Sequence, residues 1–209
     1  MSLRAVVFDY GMVLSGPPDP EAHAALARIA GLTAERLDNL YWIDRLEYDA
    51  GNLTGLEFWR KLACDASLSL DESAIEELIE WDARMWTTEN RSMLAWQMQL
   101  KQHGLLTAIL SNMAEDVLAN MLREYDWLTR FDVLVWSYRL HIIKPDAAIY
   151  RHTLEQLGTQ PEDTLLIDDR PVNVEGARAV GMRGIVFSTV EQLRADLIAA
   201  GFDKQLPLP

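Results

Sequence analysis

The sequence predicts an α/β fold: a doubly wound, parallel five-stranded sheet with a bundle of helices inserted after its first strand. Three observations carry that expectation. The stretch Val6-Val7-Phe8-Asp9-Tyr10-Gly11-Met12-Val13-Leu14 is a β-prone apolar run that delivers one carboxylate into a glycine-containing loop, the exit of a buried strand. From residue 105 onward strand and helix patterns alternate, the grammar of a doubly wound sheet. Between residues 21 and 86 there is no convincing strand, so the first strand must find its neighbours far downstream.

The elements follow in order. Ser15-Gly16-Pro17-Pro18-Asp19-Pro20 breaks regular structure and reads as a hinge. Four helical patterns follow it. The first runs from Glu21 to Ala30 and closes at Gly31; the second runs from Thr33 to about Asp49 and stops at Gly51-Asn52. The third opens on Thr54 and Glu57, a capping-box spacing in which each side chain satisfies the other's orphan backbone donor. The fourth opens in the same way with Ser69 and Glu72 and reaches about Trp86. A fifth helix runs to His103, ended by Gly104. Strands are then expected at 105–110, 132–136, 164–167 and 184–187, with helices at 114–125, 146–157, 172–180 and 190–200. The expected division is an α/β core of residues 1–16 and 88–209, and a helical cap of 17–87.

With 209 residues, 49% hydrophobic, the chain has the apolar mass for a globular core, which excludes disorder. Thirty-two acidic residues against nineteen basic ones, a formal charge of -13, argue against a nucleic-acid partner, and no Lys/Arg cluster offers one. No apolar run approaches the roughly 18 residues of a membrane span, so no membrane partner is expected. A single cysteine, Cys64, cannot form an internal disulfide and reads as a small buried side chain in a helix; together with the absence of a signal peptide it suggests a reducing, cytoplasmic home.

Polar residues gather where the predicted strands end, the edge at which parallel sheets hold ligands. Asp9 ends the first strand, Ser111-Asn112 the second and Asp168-Asp169 the fourth, while Lys144-Pro145-Asp146 precedes a helix. Each alone is a common cap or a solvated charge; four at successive strand ends form a site. The chemistry that suits them is phosphoryl transfer. Asp9, Asp168 and Asp169 are hard oxygen ligands of the kind Mg²⁺ takes. Ser111 and Lys144 can hold the phosphoryl oxygens while Asp9 attacks phosphorus. The expected partner is a small-molecule phosphate ester.

The order of these residues, together with Asp168-Asp169-Arg170-Pro171-Val172-Asn173-Val174-Glu175-Gly176-Ala177 and Gly181, resembles the four motifs of the haloacid dehalogenase superfamily, whose core is Rossmann-like, and the match spans the chain. Asp9-Tyr10-Gly11-Met12-Val13-Leu14, Gly51-Asn52-Leu53-Thr54 and Glu57-Phe58-Trp59 further resemble the group that holds bacterial glucose-1-phosphate phosphatases and the N-terminal phosphatase domain of soluble epoxide hydrolase. The resemblance implies Asp9 as nucleophile and metal ligand, the carbonyl of Gly11 as a second ligand, and Asp168 and Asp169 as the acidic metal site. It also implies Ser111 and Asn112 at the phosphate, and Lys144 as the balancing cation.

One departure has consequences. Most phosphatases of this superfamily carry a second Asp two residues after the nucleophile, and here that position is Gly11, which cannot carry a proton. General acid–base help is worth roughly 10²–10⁴ in rate, so leaving groups that need little protonation, such as the anomeric oxygen of a sugar 1-phosphate or an aryl or acyl oxygen, should suffer least. Asp19, His23 and His141 are candidate replacements. Dehalogenation is a rival reading, disfavoured by the Asp168-Asp169 pair; a phosphomutase is another, disfavoured by Gly11. A catalytically weak phosphate-sensing or protein-binding module is a third. Within the cap, Trp42, Arg45, Tyr48, Trp81, Arg84 and Trp86 are candidates to face substrate, with Arg45 placed to pair a second anion and Tyr10 to line the pocket; most of the Trp residues should be packing. An exposed aromatic cap face could support a homodimer.

Overall fold

The structure, a computed structural model, describes residues 2–209. Five strands, β1 (Ala5–Phe8), β2 (Leu106–Ser111), β3 (Val133–Trp136), β4 (Thr164–Asp168) and β5 (Arg183–Val186), form one parallel sheet in the order β3-β2-β1-β4-β5. The first strand in sequence is therefore central, and its neighbours arrive from about one hundred and one hundred and sixty residues downstream, as register pairs of Val7 with Ala108 and with Leu166 show. Phe8 lies opposite both Ile109 and Ile167, so Asp9, Ser111 and Asp168 leave the sheet along the same edge. That edge holds the point where strand order reverses, the crevice of doubly wound folds.

Both faces of the sheet are covered. Alternate β1 residues feed two layers: Val6 and Phe8 pack with Trp96, Val117 and Leu193 on one side, while Ala5 and Val7 pack with Ile149, Leu154 and Ala177 on the other. Hence β1 reads as a continuous apolar run rather than an alternating one. The helices between β1 and β2 are α1 (Pro20–Ala30), α2 (Ala34–Tyr41), α3 (Arg45–Asp49), α4 (Gly55–Asp65), α5 (Glu72–Met85) and α6 (Arg91–Gln102). The first five make the inserted cap, with α1 and α4 packed on α5. The remaining helices are α7 (Glu115–Glu124), α8 (Ser137–Leu140), α9 (Ala147–Leu157), α10 (Pro171–Ala179) and α11 (Val190–Ala199).

The ends of the insertion run side by side. Ser15 bridges Glu89 in antiparallel fashion, Gly16 N–H donates to Thr88 O at 2.9 Å, and Asp19 N–H donates to Met85 O at 2.9 Å. The expected hinge thus carries its own backbone hydrogen bonds.

Several local expectations need correction. The helix expected from Thr33 to Asp49 is two helices, α2 and α3, interrupted at Trp42–Asp44. No Gly or Pro marks the break. Its effect is to leave Trp42 and Ile43 exposed while turning Arg45 inward. The helix expected to open on Ser69 is capped instead by Asp71, whose side chain accepts from Ala74 N–H. The capping box of Thr54 and Glu57 forms as expected. Cys64 is exposed, because the buried stripe of α4 is Phe58, Trp59, Leu62 and Ala63. The short α8 gave no sequence signal. Among the described residues no helix is long and apolar enough to cross a membrane.

Candidate active site

Asp9 follows β1 directly, where its N–H donates to Ile167 O at 2.9 Å and continues the ladder for one more residue. A tight helical turn, Tyr10–Leu14, then closes with Ser15 N–H on Tyr10 O at 2.8 Å. Within it Met12 adopts φ 60°, the left-handed region that costs a side-chain-bearing residue about 1 kcal/mol or more. Met12 N–H is held by Ser15 Oγ at 3.0 Å. Tyr10 stacks on Trp127 with ring centroids 6.4 Å apart, and its hydroxyl donates to Trp86 O at 2.5 Å. Its side chain therefore ties the Asp9 loop to the end of α5.

Lys144 is the centre of the charge arrangement. Although 2% exposed, its Nζ lies 2.9 Å from Asp9 Oδ1 and 2.6 Å from Asp168 Oδ2. Asn112 holds the backbone that presents it: Oδ1 accepts from Lys144 N–H at 2.8 Å and Nδ2 donates to Lys144 O at 3.1 Å. The Asn112 amide, expected at the phosphate, is thus spent on the Lys144 loop, while the residue still borders the cavity. Gly176 is required behind this loop, since a Cβ there would meet Pro145 O at 2.9 Å.

Asp168 is the most fully hydrogen-bonded carboxylate. Besides Lys144 it accepts from Arg170 N–H at 2.9 Å and from Asn173 Nδ2 at 2.9 and 3.1 Å. Asn173, in the first turn of α10, belongs to the sequence match but carried no role there; its position five residues after Asp168 was the only signal. One oxygen from each of Asp9, Asp168 and Asp169 lies within 4.8 Å of the others.

The electrostatics follow from this partition. Burial alone would raise Asp168, but Lys144 and the N–H donors win and hold it below the usual carboxylate range. Asp9 has the longer contact to Lys144 and only the Tyr10 N–H besides, at 2.7 Å. Burial, then the charge of Asp168, pushes it up to about 8. Burial and Asp168 also raise Asp169. For Lys144, burial opposes the charge and the two carboxylates overcome it, so its value is raised. Three carboxylates against one buried ammonium leave the cluster short of positive charge.

These groups open into a cavity of about 590 Å³ between sheet edge and cap. Asp9, Ser111, Asn112, Lys144 and Asp169 belong to its polar lining, with Arg45, Asp49 and Arg170; Met12, Trp42, Leu46 and Trp86 add apolar surface. Gly11 is also in the wall, with no Cβ to obstruct its carbonyl. Ser111 is 2% exposed and only weakly engaged, its hydroxyl donating to Asn112 O at 3.4 Å.

Arg45 also reaches the cavity wall, but two of its guanidinium nitrogens are paired. Nε pairs with Asp49 at 2.8 Å and Nη1 with Asp82 at 3.4 Å, while the rings of Tyr41, Tyr48 and Trp86 lie within 5.1 to 5.6 Å of its Cζ. Tyr48 points to Asp116 at 3.1 Å, and Trp81 and Arg84 pair with each other at 4.9 Å; none of these three lines the cavity. The proposed substitutes for an acid at residue 11 are also elsewhere. Asp19 caps α1, His23 contacts Asp38 at 2.8 Å, and His141 contacts Ala50 O at 3.0 Å.

The carboxyl missed by sequence reasoning is Asp49, which borders the cavity from the cap. Its backbone carbonyl accepts from Ser137 Oγ, which in turn accepts from Met113 N–H at 2.8 Å, pinning the cap to the end of β3. Gly51, at φ 72°, permits this docking, because a Cβ there would fall 2.7 Å from Tyr138 O. Burial raises Asp49, with Arg45, Arg170 and Lys144 pulling the other way.

A parallel sheet whose C-terminal edge presents a buried carboxylate, an ammonium and an acidic pair under a helical cap defines a class of hydrolase. The chain belongs to the haloacid dehalogenase-like hydrolase family, whose profile matches residues 75–187. It is similar to phosphatase MT3486 of Mycobacterium tuberculosis, 29% identical over 204 residues that cover 95% of this chain and 93% of that protein. It is similar also to bifunctional epoxide hydrolase 2 of Mus musculus, 32% identical over 216 residues that cover 93% of this chain and 38% of that protein. The chain thus spans most of the mycobacterial phosphatase but little more than a third of its longer relatives. The fold matches the HAD family enzyme bt-2542 of Bacteroides thetaiotaomicron, solved with magnesium and inorganic phosphate, at TM-score 0.74 and 17% identity, covering 90% of this chain and 95% of that one.

Proposed function

We propose that this hydrolase is a Mg²⁺-dependent phosphatase acting on a small phosphorylated metabolite through an aspartyl-phosphate intermediate on Asp9. The observation that carries the reading is the shared contact of Lys144 with Asp9 and Asp168, set beside a third carboxylate at the mouth of a cavity. The phosphatase and the magnesium–phosphate complex among its relatives support it.

The donor set fits Mg²⁺: carboxylate oxygens of Asp9, Asp168 and Asp169 lie within 4.8 Å of one another, short of compensating charge, with the Gly11 carbonyl beside them in the cavity wall. When bound, the ion would offset the repulsion between carboxylates and an anionic ester. The chain's own residues do the rest. Asp9 attacks phosphorus and the ester P–O bond breaks; Lys144 balances charge on the transferring group, and Ser111 donates a hydrogen bond to it. Water then attacks phosphorus, the acyl-phosphate P–O bond breaks, and Asp9 is regenerated with release of phosphate. The cap, read as residues 17–87, closes the cavity from above and excludes bulk water.

Gly11 supplies no proton to the leaving oxygen, so esters with stable leaving groups, a sugar 1-phosphate or an aryl phosphate among them, are the favoured substrates. The test is phosphate release from a panel of hexose 1-phosphates, hexose 6-phosphates and an aryl phosphate, with Mg²⁺, with chelator, and with Asp9→Asn. Turnover that needs both Mg²⁺ and Asp9 and favours the 1-phosphates and aryl ester is expected. Turnover indifferent to chelator, or retained by Asp9→Asn, would overturn the scheme.

A further inference from the structure

The cap side of the cavity has few polar groups left to offer a ligand. Arg45, the cap cation in the cavity lining, is 5% exposed and pairs through Nε with Asp49 and through Nη1 with Asp82. Trp86 Nε1 donates to Tyr41 Oη at 3.3 Å, and Tyr10 Oη donates to Trp86 O. Tyr10 and Trp86 thus keep their polar handles inside the protein, whereas Trp42 Nε1 makes no hydrogen bond within the described residues. Among the described residues the side-chain polar atoms of the cap lining that carry no hydrogen bond are Asp49 Oδ2, an acceptor, and Arg45 Nη2 and Trp42 Nε1, both donors.

What the cap and the Asp9 loop do present is hydrocarbon. Trp42 is 56% exposed, Leu46 46% and Met12 41%, and all three border the cavity, with Ile43 adjoining at 61%. Trp42 meets Trp86 edge to face at 6.4 Å and 77°. Large apolar side chains grouped at a cavity mouth mark a surface that binds. Met12 is moreover held there in the left-handed region, a conformation that natural loops keep where it positions something. A polyhydroxylated leaving group placed against these apolar side chains would lose hydration and find few partners for its many hydroxyls, which costs more than it returns.

From this apolar surface in the lining of the cavity that also holds the charged cluster, we infer that the substrate is a monophosphate carried on an apolar, hydroxyl-poor group, aryl or hydrocarbon, rather than on a free sugar. The inference rests on the phosphatase reading for the phosphate end and on Met12, Trp42, Leu46 and Trp86 for the other. It narrows the leaving-group argument: among esters that need little protonation, the aryl type fits both ends of the cavity.

The test is a ladder of 4-alkylphenyl phosphates, from methyl to hexyl, in which leaving-group basicity stays nearly constant while apolar length grows, with glucose 1-phosphate as the polar arm. The expected result is a kcat/KM that rises about two- to fourfold per methylene over the first steps, exceeds that for glucose 1-phosphate, and flattens in Trp42→Ala and Leu46→Ala. The same ladder of non-hydrolysable 4-alkylphenylphosphonates, read by calorimetry in the presence of Mg²⁺, reports apolar recognition without turnover. A rising phosphonate ladder with no Asp9-dependent hydrolysis would overturn the phosphatase reading and keep the apolar one. Flat ladders, or preference for glucose 1-phosphate, would overturn the apolar inference and leave the phosphatase reading intact.

Discussion

Two buried cations in this molecule are each gripped by two carboxylates, and their surroundings make them opposites. Lys144 in the core joins Asp9 and Asp168 beside Asp169 and the open cavity; Arg45 in the cap joins Asp49 and Asp82 behind a wall of Tyr41, Tyr48 and Trp86. The core cluster carries one more acid and lines the cavity, which is why we propose it as the seat of a metal and a phosphate. In the cap, three rings pack around the guanidinium, so the cluster holds the helices together beside the exposed hydrocarbon of Trp42 and Leu46. Of two buried ion clusters bordering one cavity, the stronger candidate site is thus the one with the larger unmet charge.

The largest effect should come from Asp9→Asn, which removes the proposed nucleophile and is expected to lower turnover by at least about three orders of magnitude. The same change should raise the melting temperature of the metal-free protein at neutral pH. A carboxyl whose folded-state value is raised to about 8 keeps its proton while the unfolded chain releases one near pH ~4, so the fold loses stability as pH climbs through that window, and Asn abolishes the loss. Thermal unfolding between pH 4 and 8 with chelator, wild type beside variant, checks the sign.

Next come the two cations. Arg45→Met and Lys144→Met each strand buried carboxylates and should cost about 3–5 kcal/mol in denaturant unfolding. If the comparison holds, Mg²⁺ restores part of the stability of Lys144→Met and none of that of Arg45→Met. Equal rescue, or none in either, would erase the distinction.

A smaller effect concerns the proton that Mg²⁺ displaces. With Asp9 raised to about 8, Mg²⁺ binding should release a proton below that pH and tighten up to about tenfold per pH unit as pH rises towards it. Calorimetry in buffers of different ionisation enthalpy reads the released proton directly. The smallest effect is Asp82→Asn. Burial raises Asp82 to about 6 against the pull of Arg45, and its Oδ2 is buried without a partner. Its replacement at neutral pH should shift stability by no more than about 1 kcal/mol, because the charge removed there was already poorly supported.

The core half of this comparison was readable in the sequence and the cap half was not. Asp9, Ser111 and Asp168 stand at ends of short apolar runs whose length and composition announce a parallel sheet, and a parallel sheet aligns those ends; Lys144 lies in the loop before α9 and is marked by the Lys-Pro-Asp that precedes a helix. The cap has no such lattice. Helical periodicity gave α1 and α4, yet nothing local marked the break at Trp42–Asp44 that turns Arg45 inward, and Arg45 was read as a free cation. Asp49 was missed for a related reason: its place depends on contacts with Ser137 and, through Gly51, with Tyr138, nearly ninety residues away. Asn112 shows the limit even inside a motif, since its amide is used on the Lys144 backbone.

The most direct test of the central claim is to catch the intermediate. The protein would be acid-quenched during turnover of an aryl phosphate with Mg²⁺ and reduced with borohydride, which converts an aspartyl phosphate to homoserine, and the peptide around residue 9 read by mass spectrometry. Homoserine at position 9 that appears only with both substrate and Mg²⁺ is the predicted result. Steady phosphate release while position 9 remains aspartate in every quenched sample would contradict it.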